Sequence, residues 1–168
     1  MLLDHKNLLC FAIGAVVIDV VFLLLNYARI IFVSDRLTEW YTKLGVSAMG
    51  MDCLVILIAT SLGVALARAI FGDDAHLGHA VAMVALVQVI HDLVFAALFW
   101  AVPRGRVYIF DVFKDYATEI KFNAVWSDTL MVIGCLFIAQ GVNTWSSYAQ
   151  ILTLLGAVYI GLYALHVK

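Results

Sequence analysis

Leu86-Val87-Gln88-Val89-Ile90-His91-Asp92-Leu93-Val94-Phe95 lies in the middle of a predominantly apolar run from Ala80 to Val102. That run is long enough to cross a bilayer as one helix, which takes about 20 residues. An imidazole and a carboxylate side by side at mid-membrane depth are costly, an Asp at a helix centre by roughly 2.5–3.5 kcal/mol. Three further apolar runs each carry a single acid: Asp19, Asp52 and Asp128. Four carboxylates in four separate spans predict a helical bundle folded around them.

The totals agree with a lipid solvent. Of 168 residues, 65% are hydrophobic and 13% charged, with mean hydropathy +1.03, against about 45–50% apolar and about 25% charged for a soluble domain. The net charge of −2 and the lack of a Lys/Arg run exclude a nucleic-acid partner. Cys10, Cys53 and Cys135 sit singly in apolar runs, where a thiol acts as a small hydrophobe rather than as part of a disulfide framework or zinc site. The segment before Leu8 has no small-x-small cleavage pattern after it, so the first apolar run reads as a retained span.

Taken in order, the expected spans are about 8–32, 45–67, 80–102, 122–142 and 148–166, forming a single transmembrane domain over 1–168. Asp19 and Asn26 are seven residues apart and share a face of the first span. Between the first and second spans, Ser34-Asp35 starts a short helix with Leu37, Trp40, Tyr41 and Leu44 on one side and Arg36, Glu39 and Lys43 on the other. After Pro103-Arg104-Gly105 stops the third span, 107–120 repeats this design. Ile109, Phe110, Phe113, Tyr116, Ala117 and Ile120 form one side, and Asp111, Lys114, Asp115, Thr118 and Glu119 the other. Both are read as amphipathic helices in the interface plane. The connection 68–78 reads as a solvated turn around Gly72-Asp73-Asp74.

The chain also repeats itself. Shifted by 76, Asp35–Ala59 falls on Asp111–Cys135 without a gap, with five identities in 25 positions, and Asp52 meets Asp128. Shifted by 73, Ile18-Asp19-Val20-Val21-Phe22 meets His91-Asp92-Leu93-Val94-Phe95. The fold class expected is therefore all-α: an integral membrane bundle of five transmembrane helices. It would be a tandem two-span repeat (about 8–67 and 80–142), parallel, with a pseudo-twofold along the membrane normal, plus a fifth helix at about 148–166. Arg29, Arg36, Lys43, Arg104, Arg106, Lys114, Lys121 and Lys168 share one side of that bundle and Lys6 and Arg68 the other, so the positive-inside rule predicts the N-terminus out and the C-terminus cytoplasmic.

A cation or proton path is the expected use of Asp19, Asp52, Asp92 and Asp128, with His91 as proton partner and Gln88 and Asn26 on the same faces. Clustered carboxyls in a low dielectric would not all be ionised, which is what a proton-linked channel or carrier would exploit. The bland reading stands beside it: Asp and Asn also bond across helices as glue. Arg104 could gate the path by pairing with a shallow acid such as Asp128, or contact lipid phosphate. No lysine lies mid-span for a retinal and His91 has no partner at its depth for a haem, so no cofactor is expected. A metal is left open. Neither a Ser/His/Asp order, a phosphate loop nor HExxH is present. Two alternatives remain: an intramembrane enzyme acting on lipid through Asp pairs, and a non-catalytic scaffold that shapes membrane through its amphipathic helices. The partners expected are the bilayer and a small cation or proton, with a second copy of the chain left open.

Four features, Trp40-Tyr41, Ile90-His91-Asp92, Pro103-Arg104-Gly105 and Phe113-Lys114-Asp115-Tyr116-Ala117 with Glu119 and Ser127-Asp128, carry a resemblance over residues 18–135. In these the chain resembles small polytopic membrane proteins encoded by large DNA viruses of algae and protists. The resemblance implies a viral or host membrane and no particular activity.

Overall fold

The structure is a computed structural model that describes residues 7–30 and 34–166. Among these the regular structure is helical throughout: α1 (Leu8–Tyr27), α2 (Asp35–Leu44), α3 (Val46–Phe71), α4 (Leu77–Ala101), α5 (Tyr108–Ile120), α6 (Phe122–Val142) and α7 (Ser147–Ala164). A short 3-10 turn, Gly72–Asp74, links α3 to α4. Helices α1, α3, α4, α6 and α7 are each long and apolar enough to cross a membrane, the signature of an integral membrane protein. Lys6 and Lys168, which entered the charge comparison, lie outside the described residues, as does the expected last part of the first span.

Several boundaries differ from expectation for local reasons. Helix α1 stops at Tyr27 because Asn26 turns its side chain to the next segment. Asn26 Nδ2 donates to Thr38 Oγ1 (3.1 Å) and Oδ1 accepts from the Ser34 amide (3.3 Å). Arg29 then takes a positive φ of 53°. Helix α3 continues through Arg68 to Phe71, and α4 begins at Leu77, so the polar connection is shorter than 68–78.

The junctions α2–α3 and α5–α6 are built alike. Gly45 has φ 53°, ψ −125° and Lys121 has φ 51°, ψ −124°. Each amide donates to a carbonyl four residues back, Tyr41 O (2.9 Å) and Ala117 O (3.0 Å). Each carbonyl then accepts the first bond of the next helix, from Ala48 N and Ala124 N. Glycine reaches this conformation without strain; a lysine there holds a sparsely populated geometry.

Helix α1 packs most extensively on α6, and α3 on α4; α7 lies against α1 next, followed by α1 with α3 and α4 with α6. Away from α2 and α5 these contacts are close. A Cβ at Gly14 would lie 2.5 Å from Cys135 O, and one at Gly63 2.5 Å from Val84 Cα. Small residues there bring backbones together, the usual means of packing helices in lipid. At the other end, α2 and α5 lie side by side, α2 touching α1 and α3 and α5 touching α4 and α6. Ser34 caps α2 by accepting from Leu37 N (3.0 Å). Trp40, Tyr41 and Val112 are buried, while Asp35, Arg36 and Lys43 are exposed. Lys114 departs from the expected polar face of α5. It is buried, its ammonium donating to Val102 O just past α4 and lying 5.9 Å from the Trp100 ring centroid. A cation suits the negative end of α4.

Candidate functional site

Beneath α2 and α5 lies a cavity of about 530 Å³ walled by every long helix except α7. It brings together Asp52 from α3, Gln88, His91 and Asp92 from α4, and Ser127 and Asp128 from α6. The aromatic lining comes from Phe22, Trp40, Tyr41, Phe95, Phe110, Phe113 and Tyr116. Leu54 (58% exposed) and Val107 (39% exposed) also belong to the lining and mark where it reaches the surface.

Asp19 is fully buried and does not line this space; it stands behind Tyr41. The Tyr41 hydroxyl lies 2.8 Å from Asp19 Oδ1 and 2.9 Å from Asp52 Oδ2. Trp40 Nε1 donates to the same Asp52 oxygen at 3.1 Å, and Cys53 Sγ lies 3.9 Å from Asp19 Oδ2. A phenol has one hydrogen. Both short contacts of Tyr41 are therefore hydrogen bonds when one of the two carboxyls carries a proton and donates it back to the phenol oxygen. Burial, with Asp52 and Asp19 beside it, pushes the Tyr41 phenol well above its ordinary range, so this donor keeps its hydrogen.

The acids of the second half are served differently. Asp92 Oδ1 accepts from Gln88 Nε2 at 2.7 Å and lies 3.2 Å from His91 Nδ1. Asp92 Oδ2 and Gln88 Oε1 are buried with no hydrogen-bond partner among the described residues. Asp128 is 3.4 Å from Ser127 Oγ, but that hydroxyl donates over 2.8 Å to Ala124 O. Tyr116 lines the cavity nearby, its phenol raised by burial and then by the Asp128 charge.

Two residues expected on the path have other partners. Asn26 joins α1 to α2, as described above. Arg104 pairs with Asp115 (2.9 Å), at the surface, and not with Asp128. Among the described residues no three His, Cys, Asp or Glu side chains are grouped as metal ligands would be. The cysteines are free. The sequence reading did not assign Tyr41, Trp40, Tyr116 or Ser127 to the site. A signal existed: Trp40 and Tyr116 each precede the acid of the following span by 12 residues, at matching positions of the 76-residue shift.

Compared with family models, curated proteins and solved structures, the chain matches none.

Proposed function

We propose that the protein is a membrane transport protein, a carrier that exchanges a cation for protons and loads it from the α2/α5 side. The observation that carries this reading is the cavity itself. Three carboxyls from three spans and the His91–Asp92 pair meet in one space within an otherwise apolar bundle. Intramembrane acids are expensive and mark ion and proton paths. A carrier fits better than an open channel because the opposite half is packed backbone to backbone at Gly14–Cys135 and Gly63–Val84. The Asp19–Tyr41–Asp52 cluster supplies a buried place for a proton, and the His91 ring, 3.2 Å from Asp92, a group that can pass one to a carboxylate.

The architecture we propose with it is a tandem duplication. Exchanging α1 with α4, α2 with α5 and α3 with α6 maps the packing order onto itself, and the Gly45 and Lys121 junctions coincide. Parallel repeats of this kind place substrate sites at the repeat interface, which is where the cavity lies. The excess of Lys and Arg near the α2/α5 side supports putting that side in the cytoplasm, with both short helices in the interface plane.

Proteoliposomes holding an internal pH dye test the reading. Inward gradients of Na⁺, K⁺, methylammonium and phenethylammonium are imposed in turn. At least one should change the internal pH in wild type, and Asp92→Asn should abolish the change. If no cation moves protons in wild type, or if Asp92→Asn behaves like wild type, the carrier reading falls.

A further inference from the structure

We propose that the occupant of the cavity is an organic ammonium with an apolar body, and not a bare metal ion. This names the substrate class of the carrier reading and rests on it for placing the cavity on a transport route. The binding claim itself stands on the cavity's own chemistry.

The hydrogen-bonding groups of the wall are unbalanced. Its donors have partners close by: Trp40 Nε1 on Asp52, the Tyr41 hydroxyl between Asp19 and Asp52, Gln88 Nε2 on Asp92, Ser127 Oγ on Ala124 O, the Tyr116 hydroxyl beside Ser127 and His91 Nδ1 beside Asp92 Oδ1. The groups left unmet are acceptors. Gln88 is only 2% exposed, yet its Oε1 has no partner, and neither has Asp92 Oδ2 one residue-turn along the same helix. Asp128 has only the long contact to Ser127. Among the described residues no lysine or arginine lines the space. A buried acceptor without a donor costs free energy, and a ligand that brings several N–H donors relieves it. An ammonium head does so and carries the complementary charge; a carboxylate or phosphate would add acceptors to acceptors.

The rest of the lining selects what is attached to that head. A volume of about 530 Å³ is in the range of sites for small organic molecules. Rings such as Phe95 and Phe113 offer faces to a cation and to an apolar body alike. An inorganic divalent ion needs several oxygens converging at short range, and among the described residues no such group of acids and histidines exists. Leu54 places part of the rim on the lipid-facing side of α3, so an amphiphilic cation can arrive from the bilayer interface.

The test uses three probes that share one ring and differ in the head: phenethylammonium, 2-phenylethanol and phenylacetate. Each is titrated against the full chain in nanodiscs by equilibrium dialysis. Phenethylammonium should saturate, at least about tenfold tighter than the alcohol, and phenylacetate should bind more weakly than either. Equal affinity for ammonium and alcohol, preference for phenylacetate, or displacement of phenethylammonium by equimolar Na⁺ would each overturn the proposal. Gln88→Leu and Asp92→Asn should each weaken phenethylammonium by about tenfold or more and leave the alcohol unmoved. Loss of both probes in a variant is a folding defect, and the wild-type head-group comparison then decides. Saturable ammonium binding without movement into proteoliposomes keeps this inference and removes the carrier. Proton-coupled movement of Na⁺ with no ammonium binding does the reverse.

Discussion

Asp19 and Asp52 share a phenol; Asp92 and Asp128 do not. The first pair, on α1 and α3, is bridged by Tyr41, and Trp40 adds a second donor to Asp52. At the matching positions of the second half stand Ala117, which has no donor, and Tyr116, which lies beside Ser127 and Asp128. The bridge is absent there. The two pairs of acids are thus held differently: Asp19 and Asp52 by hydroxyl and indole donors, Asp92 and Asp128 with acceptors left facing a cavity that Asp52 also lines. The covering of the spans follows the same asymmetry. Helix α7 lies against α1, whereas α4 is the most exposed of the five long helices.

The harshest way to break this comparison is to remove the bridge. Tyr41→Phe keeps the ring but leaves buried Asp19 with only the long Cys53 contact and Asp52 with Trp40 alone, which should cost about 1–3 kcal/mol. Tyr116→Phe, at the wall of the other half, should cost less than about 1 kcal/mol, because its loss leaves Asp128 little worse served than before. Thermal unfolding of both variants in the same detergent reads the difference. Equal losses would mean that the halves hold their acids in the same way.

A second variant adds the bridge where it is missing. Ala117→Tyr should reach toward Asp92 and Asp128 as Tyr41 reaches Asp19 and Asp52. Phenethylammonium affinity should fall by about tenfold, roughly 1.4 kcal/mol, with the melting temperature unchanged or raised. An unchanged affinity with a raised melting temperature would show that the second pair is not where the ligand sits.

The five long helices could be read in the sequence because each is an apolar run of membrane length between polar breaks, and lipid leaves few other solutions. The meeting of Asp52, Asp92 and Asp128 was also an expectation of the sequence, since each is the lone acid of its span. Asp19 was expected in the same space and is not part of its wall. It has the same pattern as the others, but its neighbour in space is a tyrosine 22 positions away on another helix, and hydropathy carries no information about such a contact. Lys114 was misplaced for a related reason. Helical spacing put it with Asp111 and Asp115, whereas the open carbonyl of Val102 draws its long side chain inward. Periodicity states which face a residue leaves from, not where four methylenes can carry its charge. Asn26 shares a face with Asp19, as the spacing said, and is claimed by the backbone of the following turn.

The smallest expected effect concerns how the halves are held over the cavity. Glu119, near the end of α5, accepts from the first amides of α2, Asp35 N at 3.1 Å and Arg36 N at 3.3 Å. Its counterpart under the 76-residue shift, Lys43 near the end of α2, lies 5.9 Å from the ring centroid of Tyr108, the first residue of α5. Each short helix thus ends against the start of the other, one contact made by an anion on a helix N-terminus and one by a cation on a ring. The anionic contact has the better-defined geometry, but it is exposed, so Glu119→Gln should cost only about 0.3–1 kcal/mol. Because the Glu119 contact ties α5 to α2 across the roof, its loss should show less in unfolding than in hydrogen exchange. Amides of α2 should exchange faster while those of α3 and α6 keep their protection. If α2 exchanges as in wild type, the roof is held by Trp40 packing against Phe113, whose centroids are 4.6 Å apart. Opening of the cavity would then have to begin at those rings, where α2 meets α5.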